Sequence, residues 1–344
     1  MSLFVDIEKD FGSFRLAVKF EAGNETLALF GASGCGKSLT LKCIAGIVKP
    51  DRGRIILDGR VLFDSEKHID LTPQERRTGL MFQNYALFPN MTVRQNILAG
   101  AKRSTAKQFR QKKTEEMMAK FGLSELSEHY PSALSGGQQQ RTALARILIS
   151  DPDILLLDEP FSALDTHLRL RLEEELLRVI RDFGKTVLLV SHDRNEVYSL
   201  ADRIAVVDSG HIEELETSQK IFTHPQTRTA AILTGCRNIS PVEITGGSVL
   251  ASDWGLEFKT DRDADDFAFI GVYPTDIRFS DEEAGIRCTV VSQIEEPDSF
   301  ILLLKTPKGR DPLLWKLLKE EWCCKASDTV YISIPEEKVF LLER

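Results

Sequence analysis

The sequence predicts an α/β domain carrying a helical insertion, followed by a small C-terminal β-barrel domain. Three observations predict it. The apolar run Thr26 to Phe30 enters a glycine-rich turn that opens onto a helix-period stretch. Two further runs, Ile154 to Leu157 and Thr186 to Val190, are apolar throughout, as strands of a parallel sheet buried on both faces must be. After about Thr234 the helical period gives way to short alternating runs punctuated by turn residues.

Taken in chain order, alternation over residues 3 to 7 and 14 to 20 predicts a strand pair, and Thr26 to Phe30 a buried strand. A helix is expected from about Lys37 to Ile47. Between Asn90 and Tyr130 the pattern is helical and polar, with the charged stretch Lys102 to Lys120, and reads as a helical insertion with a solvated face. Helices are expected over Gln138 to Ser150 and Leu168 to Phe183, alternating with the two apolar strands. The second domain is expected to place strands in Ser248 to Thr260, Phe267 to Phe279, Arg287 to Gln293, Phe300 to Lys305 and Thr329 to Leu342, with one short helix around Pro312 to Trp322. Thr245-Gly246-Gly247 and Pro307-Lys308-Gly309 are its turn signals.

Composition narrows the function classes. With 42% apolar and 28% charged residues the chain can bury a core, and disorder is not indicated. The formal charge of −8 makes nucleic acid a poor partner. No stretch approaches the roughly 18 uncharged apolar residues of a spanning helix, and the start MSLFVDIEKDFG lacks a basic flank followed by an apolar run. A cytoplasmic chain is expected. Its six cysteines form no CxxC pair and read as reduced, mostly core thiols; Cys323 and Cys324 are adjacent, expected at the end of the short helix.

The chemistry sits in a few segments. Gly31-Ala32-Ser33-Gly34-Cys35-Gly36-Lys37-Ser38, followed by Leu39, matches GxxxxGK[ST], in which glycines let backbone N–H groups wrap an anion at a helix N-terminus. Lys37 then reaches the β and γ phosphates, and Ser38 offers its hydroxyl to Mg2+. Asp158 and Glu159 end a buried strand, where a parallel sheet presents ligand sites. Asp158 is placed on Mg2+, and Glu159 facing the γ-phosphate to polarise the attacking water. Leu134-Ser135-Gly136-Gly137-Gln138 puts two glycines before a helix, a second phosphate-binding device in one chain.

With that segment beside the other two, the sequence resembles the ATP-binding cassette (ABC) family. The resemblance implies that Ser135, Gly136, Gly137 and Gln138 of one subunit close on the γ-phosphate held by the P-loop of a second copy, so that hydrolysis requires a homodimer around two ATP. It implies that Gln83, in Met81-Phe82-Gln83-Asn84, contacts Mg2+ and water and links the site to the helical insertion. It implies that His192 contacts the γ-phosphate, and that Ser162-Ala163-Leu164-Asp165 carries state information between the two sites. For the aromatic that stacks on adenine Phe11 is the candidate, with Phe14 the alternative and core packing a further account of either.

Thr72-Pro73-Gln74-Glu75-Arg76-Arg77, Gln83 to Pro89 and Met91-Thr92-Val93 are similar to importer ATPases fed by extracytoplasmic binding proteins. The resemblance implies an ATPase domain over 1–235, with its helical subdomain at about 88–150, and an OB-like or TOBE-like regulatory domain over 236–344. It implies integral-membrane permease subunits as partners and a peripheral position on the cytoplasmic face of the membrane. In Gly271-Val272-Tyr273-Pro274-Thr275-Asp276-Ile277, Tyr273 and Thr275 stand where the family's GxRPED-I element has Arg and Glu. Thr234 to Ser240 and the compact N-terminal strand pair resemble the molybdate and sulfate branch, which puts molybdate first and sulfate second as cargo. Sugar, polyamine and iron(III) import, or a non-transport ABC ATPase, are the alternatives.

Overall fold

The computed structural model describes residues 2–102, 106–162, 166–245, 247–259, 267–282, 284–322 and 328–343. The chain divides into two compact units, Met1–Ser218 and Gln219–Arg344; the expected boundary at 235 falls inside the second.

Unit 1 opens with β1 (Leu3–Asp10), β2 (Arg15–Ala22) and β3 (Thr26–Phe30), then α1 (Lys37–Ala45). There follow β4 (Arg52–Leu57), β5 (Arg60–Asp64), β6 (Ile69–Asp70), α2 (Pro73–Arg76) and β7 (Thr78–Met81). The helical stretch holds α3 (Val93–Gly100), α4 (Lys107–Lys120) and α5 (Gly136–Leu148). The chain then alternates through β8 (Ile154–Asp158), α6 (Thr166–Phe183), β9 (Val187–Ser191), α7 (Arg194–Leu200), β10 (Arg203–Asp208) and β11 (His211–Thr217).

Two sheets form. An antiparallel one runs β2-β1-β4-β5-β6, and a mixed one runs β11-β10-β3-β9-β8-β7, parallel except for β11. All five residues of β3, β8 and β9 are buried. Burying each large aliphatic side chain contributes about 1.5–3 kcal/mol, so polar groups are displaced to the strand ends. Because β3, β9 and β8 are neighbours, the segments leaving their carboxyl ends meet on one edge. Those segments are the glycine loop, His192 and Asp158-Glu159.

α5 starts two residues earlier than expected. Ser135 is its N-cap, extended at φ −65 and ψ 160, and Gly136 and Gly137 form its first turn instead of preceding it. A capping box explains this: the Gln138 side chain accepts from the Ser135 N–H, and Ser135 Oγ accepts from the Gln138 N–H.

Unit 2 begins within α8 (Ser218–Thr223) and carries α9 (Arg228–Leu233) and then strands: β12 (Asn238–Thr245), β13 (Ser248–Ala251), β14 (Leu256–Lys259), β15 (Phe267–Val272) and β16 (Arg278–Phe279). β17 (Ile286–Glu295), β18 (Ser299–Lys305), β19 (Leu313–Leu318), β20 (Thr329–Ser333) and β21 (Val339–Glu343) complete it. Two antiparallel five-stranded sheets, β14-β13-β12-β15-β21 and β16-β20-β17-β18-β19, curl about one core that includes Ile270, Val272, Leu302, Leu304, Trp315 and Ile332. This is a small barrel-like domain.

Of the helix expected at Pro312–Trp322, Leu313–Leu318 is a strand instead, and only Lys319–Glu321 is helical, a single 3-10 turn. Leu313, Trp315 and Leu317 are buried while Leu314, Lys316 and Leu318 face outward by degrees, a period of two, and all six residues pair with β18. Leu and Lys favour helix locally, but the open edge of β18 and the core pocket for Trp315 decide. Cys323 and Cys324 lie outside the described residues, as does Asp165.

Candidate active site

The glycine loop joins β3 to α1. A Cβ on Gly31 would stand 2.2 Å from the Val207 carbonyl oxygen, so only glycine lets the loop leave the sheet there. Gly36 caps α1 at φ 109, a left-handed conformation, and α1 has no side-chain cap and no acid in its first turn. Its N–H groups are therefore left for an anion. Lys37 is only 4% exposed. Its Nζ donates to the carbonyls of Gly31 and Ala32, each at 2.7 Å, and lies 3.6 Å from Cys35 Sγ. The carbonyls of Gly31 and Ala32 are loop dipoles, which can yield the ammonium to an incoming phosphate. Ala32, Ser33 and Gly34 are exposed on the outer rim, while Leu39 packs against the core.

Ser38 Oγ donates to Asp158 Oδ1 at 2.6 Å. Asp158 is 6% exposed, and burial raises its carboxyl above the ordinary carboxylate range despite the Ser38 hydrogen bond. A buried acid next to a hydroxyl, with the Gln83 amide nearby across Glu159, offers oxygen donors of the kind a hard dication takes. The set fits Mg2+.

Glu159 follows with φ 46, a left-handed backbone that is uncommon for a residue with a Cβ and that turns its side chain away from the course of β8. Its N–H donates to the Val190 carbonyl at 3.0 Å, tying the turn to β9. Gln83 Nε2 donates to one carboxylate oxygen at 3.1 Å, and His192 Nδ1 lies 3.1 Å from the other. Three of the expected catalytic residues thus form one contact group, with the carboxylate at its centre.

Several residues that support this group escaped the sequence reading. Glu196, 3% exposed on α7, accepts from Ser191 Oγ at 2.5 Å and pairs with Arg169 of α6. Arg169 also reaches Asp193 Oδ2 at 3.0 Å, and Ser191 Oγ accepts from the Asp193 N–H at 2.9 Å. His192 therefore sits on a turn gripped on both sides. On the Gln83 side, Tyr85 and Ala86 take positive φ of 59 and 44, and Arg146 of α5 donates to both their carbonyls at 2.9 and 2.7 Å. Gln140 Nε2 and the Tyr85 hydroxyl both donate to the Pro160 carbonyl, at 3.2 and 3.3 Å. The sequence signal for this was slight: polar residues on the inward face of an otherwise apolar helix.

Other expected positions stand apart. Side-chain hydrogen bonds link Ser135 and Gln138 to each other, and Gly137 packs its α-carbon side against Leu172. Phe11 is 45% exposed on the β1–β2 turn, under Lys9 Nζ at 5.7 Å from its ring centre. Phe14 is half-buried and is the ring nearest Gly36. Ser162 donates to the Glu159 carbonyl at 3.1 Å.

The ABC transporter family profile matches residues 15–162. A sulfate/thiosulfate import ATP-binding protein of Chromobacterium violaceum is 39% identical over 307 residues, covering 87% of this chain and 80% of that protein. A spermidine/putrescine import ATP-binding protein of Bacillus cereus is 42% identical over 238 residues, 68% of this chain and 71% of its own length. A molybdenum import ATP-binding protein of Rhodospirillum rubrum is 39% identical over 223 residues, 65% of this chain and 60% of its own. Among solved structures, the dimeric post-hydrolysis state of the ATP-binding cassette MJ0796 with ADP and phosphate is similar at a TM-score of 0.53 and 29% identity, over 63% of this chain and 99% of that one. With the glycine loop, the paired acids and the Gln83–Glu159–His192 group on one sheet edge, the chain belongs to the ABC transporter family and is an ATP-hydrolysing member of it.

Proposed function

We propose that the chain is the ATP-hydrolysing subunit of a binding-protein-dependent importer of tetrahedral oxyanions, acting as a homodimer on permease subunits at the cytoplasmic face of the membrane. The observation that carries the hydrolytic part is the Glu159 carboxylate held at 3.1 Å by both Gln83 and His192, beside the buried Ser38–Asp158 pair. In this reading Lys37 and the α1 N–H groups bind the phosphates. Ser38, Asp158 and Gln83 hold Mg2+, which on binding neutralises phosphate charge. Glu159 accepts a hydrogen bond from the attacking water and orients it, and His192 supports the γ-phosphate. Phe11 stacks on adenine. Ser135 to Gln138 and Asp165 serve the site of the second copy.

Three features support the transport part. No helix among the described residues is long and apolar enough to cross a membrane, so the transport pathway needs partner chains. A groove of about 480 Å3 beside the Gln83 segment is lined by Ile47, Leu80, Phe82 and Phe88. Ile47 and Phe88 are 50% and 46% exposed there, the kind of apolar surface a permease helix would cover. The three relatives named above are import ATP-binding proteins. The sulfate/thiosulfate relative aligns over 87% of the chain and so over much of unit 2, whereas the molybdenum relative aligns over 65%. We therefore place sulfate ahead of molybdate, the reverse of the order expected from the sequence alone.

The test is uptake of labelled sulfate and molybdate by cells depending on this chain, compared with cells carrying Lys37→Ala. Sulfate uptake is expected to fall to background, with molybdate falling alongside or less. Normal uptake of both anions together with loss of spermidine uptake would replace this reading with polyamine import.

A further inference from the structure

In unit 2, β12 changes partner midway: Asn238–Pro241 pair with β15 and Val242–Thr245 with β13. The two halves of the sheet diverge, and a cavity of about 420 Å3 lies between them. Its floor is core: Val249 and Ile270 are 1% and 0% exposed, and Phe258, Val339 and Leu341 continue the apolar wall. Its rim is charged. Lys220 and His224 enter from α8 and the segment after it, Lys259 from the end of β14, and Glu336 from the turn before β21. That segment is fixed at the sheet edge, since the Glu343 N–H donates to the Gln226 carbonyl at 2.8 Å.

We propose that this cavity binds one small organic anion with an aromatic or aliphatic body and a single carboxylate, sulfonate or phosphate group. The volume is that of a pocket for a drug-sized molecule, and an apolar floor beneath a few convergent polar groups is how such sites are built. Among the described residues the rim carries two lysines and one glutamate, charge that favours an anionic headgroup. A bare inorganic oxyanion would meet the lysines but leave the wall of Val249, Phe258, Ile270, Val339 and Leu341 uncovered. The occupant is therefore chemically different from the proposed cargo, and the site is separate from the nucleotide site in unit 1.

Two fluorescent probes of one shape test it on the full chain: 1-anilinonaphthalene-8-sulfonate, and the uncharged N-phenyl-1-naphthylamine. The sulfonate is expected to bind saturably, one per chain, undisturbed by Mg2+ and ATP. Lys259→Glu and Lys220→Glu, both at exposed positions, should each raise its dissociation constant about tenfold while leaving the neutral probe's binding unchanged. Displacement by ATP, sulfonate binding equal to wild type in both variants, or equal loss of both probes in both variants would each overturn the assignment.

Discussion

Asp158 is ionisable, 6% exposed and close to Lys37, Lys42 and Glu159, with burial the largest influence on its proton. An acid whose folded-state pKa is raised holds its proton more tightly in the folded chain than in the unfolded one. Its ionisation therefore withdraws stability as the pH rises above the ordinary carboxylate range, near about 4. Asp158→Asn removes that penalty while keeping an oxygen to accept from Ser38. The nucleotide-free variant should melt above wild type at about pH 7 to 8, with the gap closing as the pH falls towards about 4, and it should lose Mg2+-dependent ATP affinity. Scanning calorimetry across pH checks the first outcome and nucleotide titration the second; a lower melting temperature at neutral pH would contradict the assignment. At this scale the sequence was informative where chemistry is written contiguously. Residues 31–38 and 158–159 declare themselves because adjacent atoms wrap one ligand. Glu196 and Arg169 do not, because their roles arise only when α6 packs near α7, 27 residues apart.

Among elements, α1 shows how a short segment is held. At its end the Gly46 N–H donates to Cys43 O at 3.2 Å, and the guanidinium of Arg76, 0% exposed, adds a side-chain donor: Nη1 donates to Cys43 O at 2.7 Å and to Ile44 O at 3.0 Å. Nε donates to Leu71 O at 2.9 Å and Nη2 reaches Asp70 at 3.0 Å. Gly46, at φ 80, has no Cβ where one would lie 2.6 Å from Arg76 Nε. Arg76→Leu leaves two buried carbonyls and Asp70 without this partner. It should cost about 1–3 kcal/mol in urea unfolding and weaken ATP binding, because α1 carries Lys37 and Ser38. A loss under about 1 kcal/mol would mean that the carbonyls find other donors. The sequence placed Arg76 in a segment typical of importers, but no local pattern marks it as a helix cap. β19 was misread for the complementary reason: its helix-forming composition is local, whereas its pairing partner β18 and the seat of Trp315 are not.

For the whole molecule, fold class and order of elements were legible because burial on both faces of β3, β8 and β9 leaves an unmistakable apolar run, and those strands fix the site's geometry. What lay between chains was legible only through resemblance. Within one chain Glu159 is satisfied by Gln83 and His192, and Ser135 and Gln138 by each other. In the proposed function the working site is therefore a property of two copies. Glu159→Gln tests this most directly, since the amide keeps hydrogen bonds to Gln83 and His192 but cannot act as a base. With ATP and Mg2+, light scattering should find a stable dimer with two ATP retained, and hydrolysis should fall at least about 100-fold. A monomer that binds ATP, or a variant that hydrolyses it at the wild-type rate, would contradict the shared site and the role of Glu159.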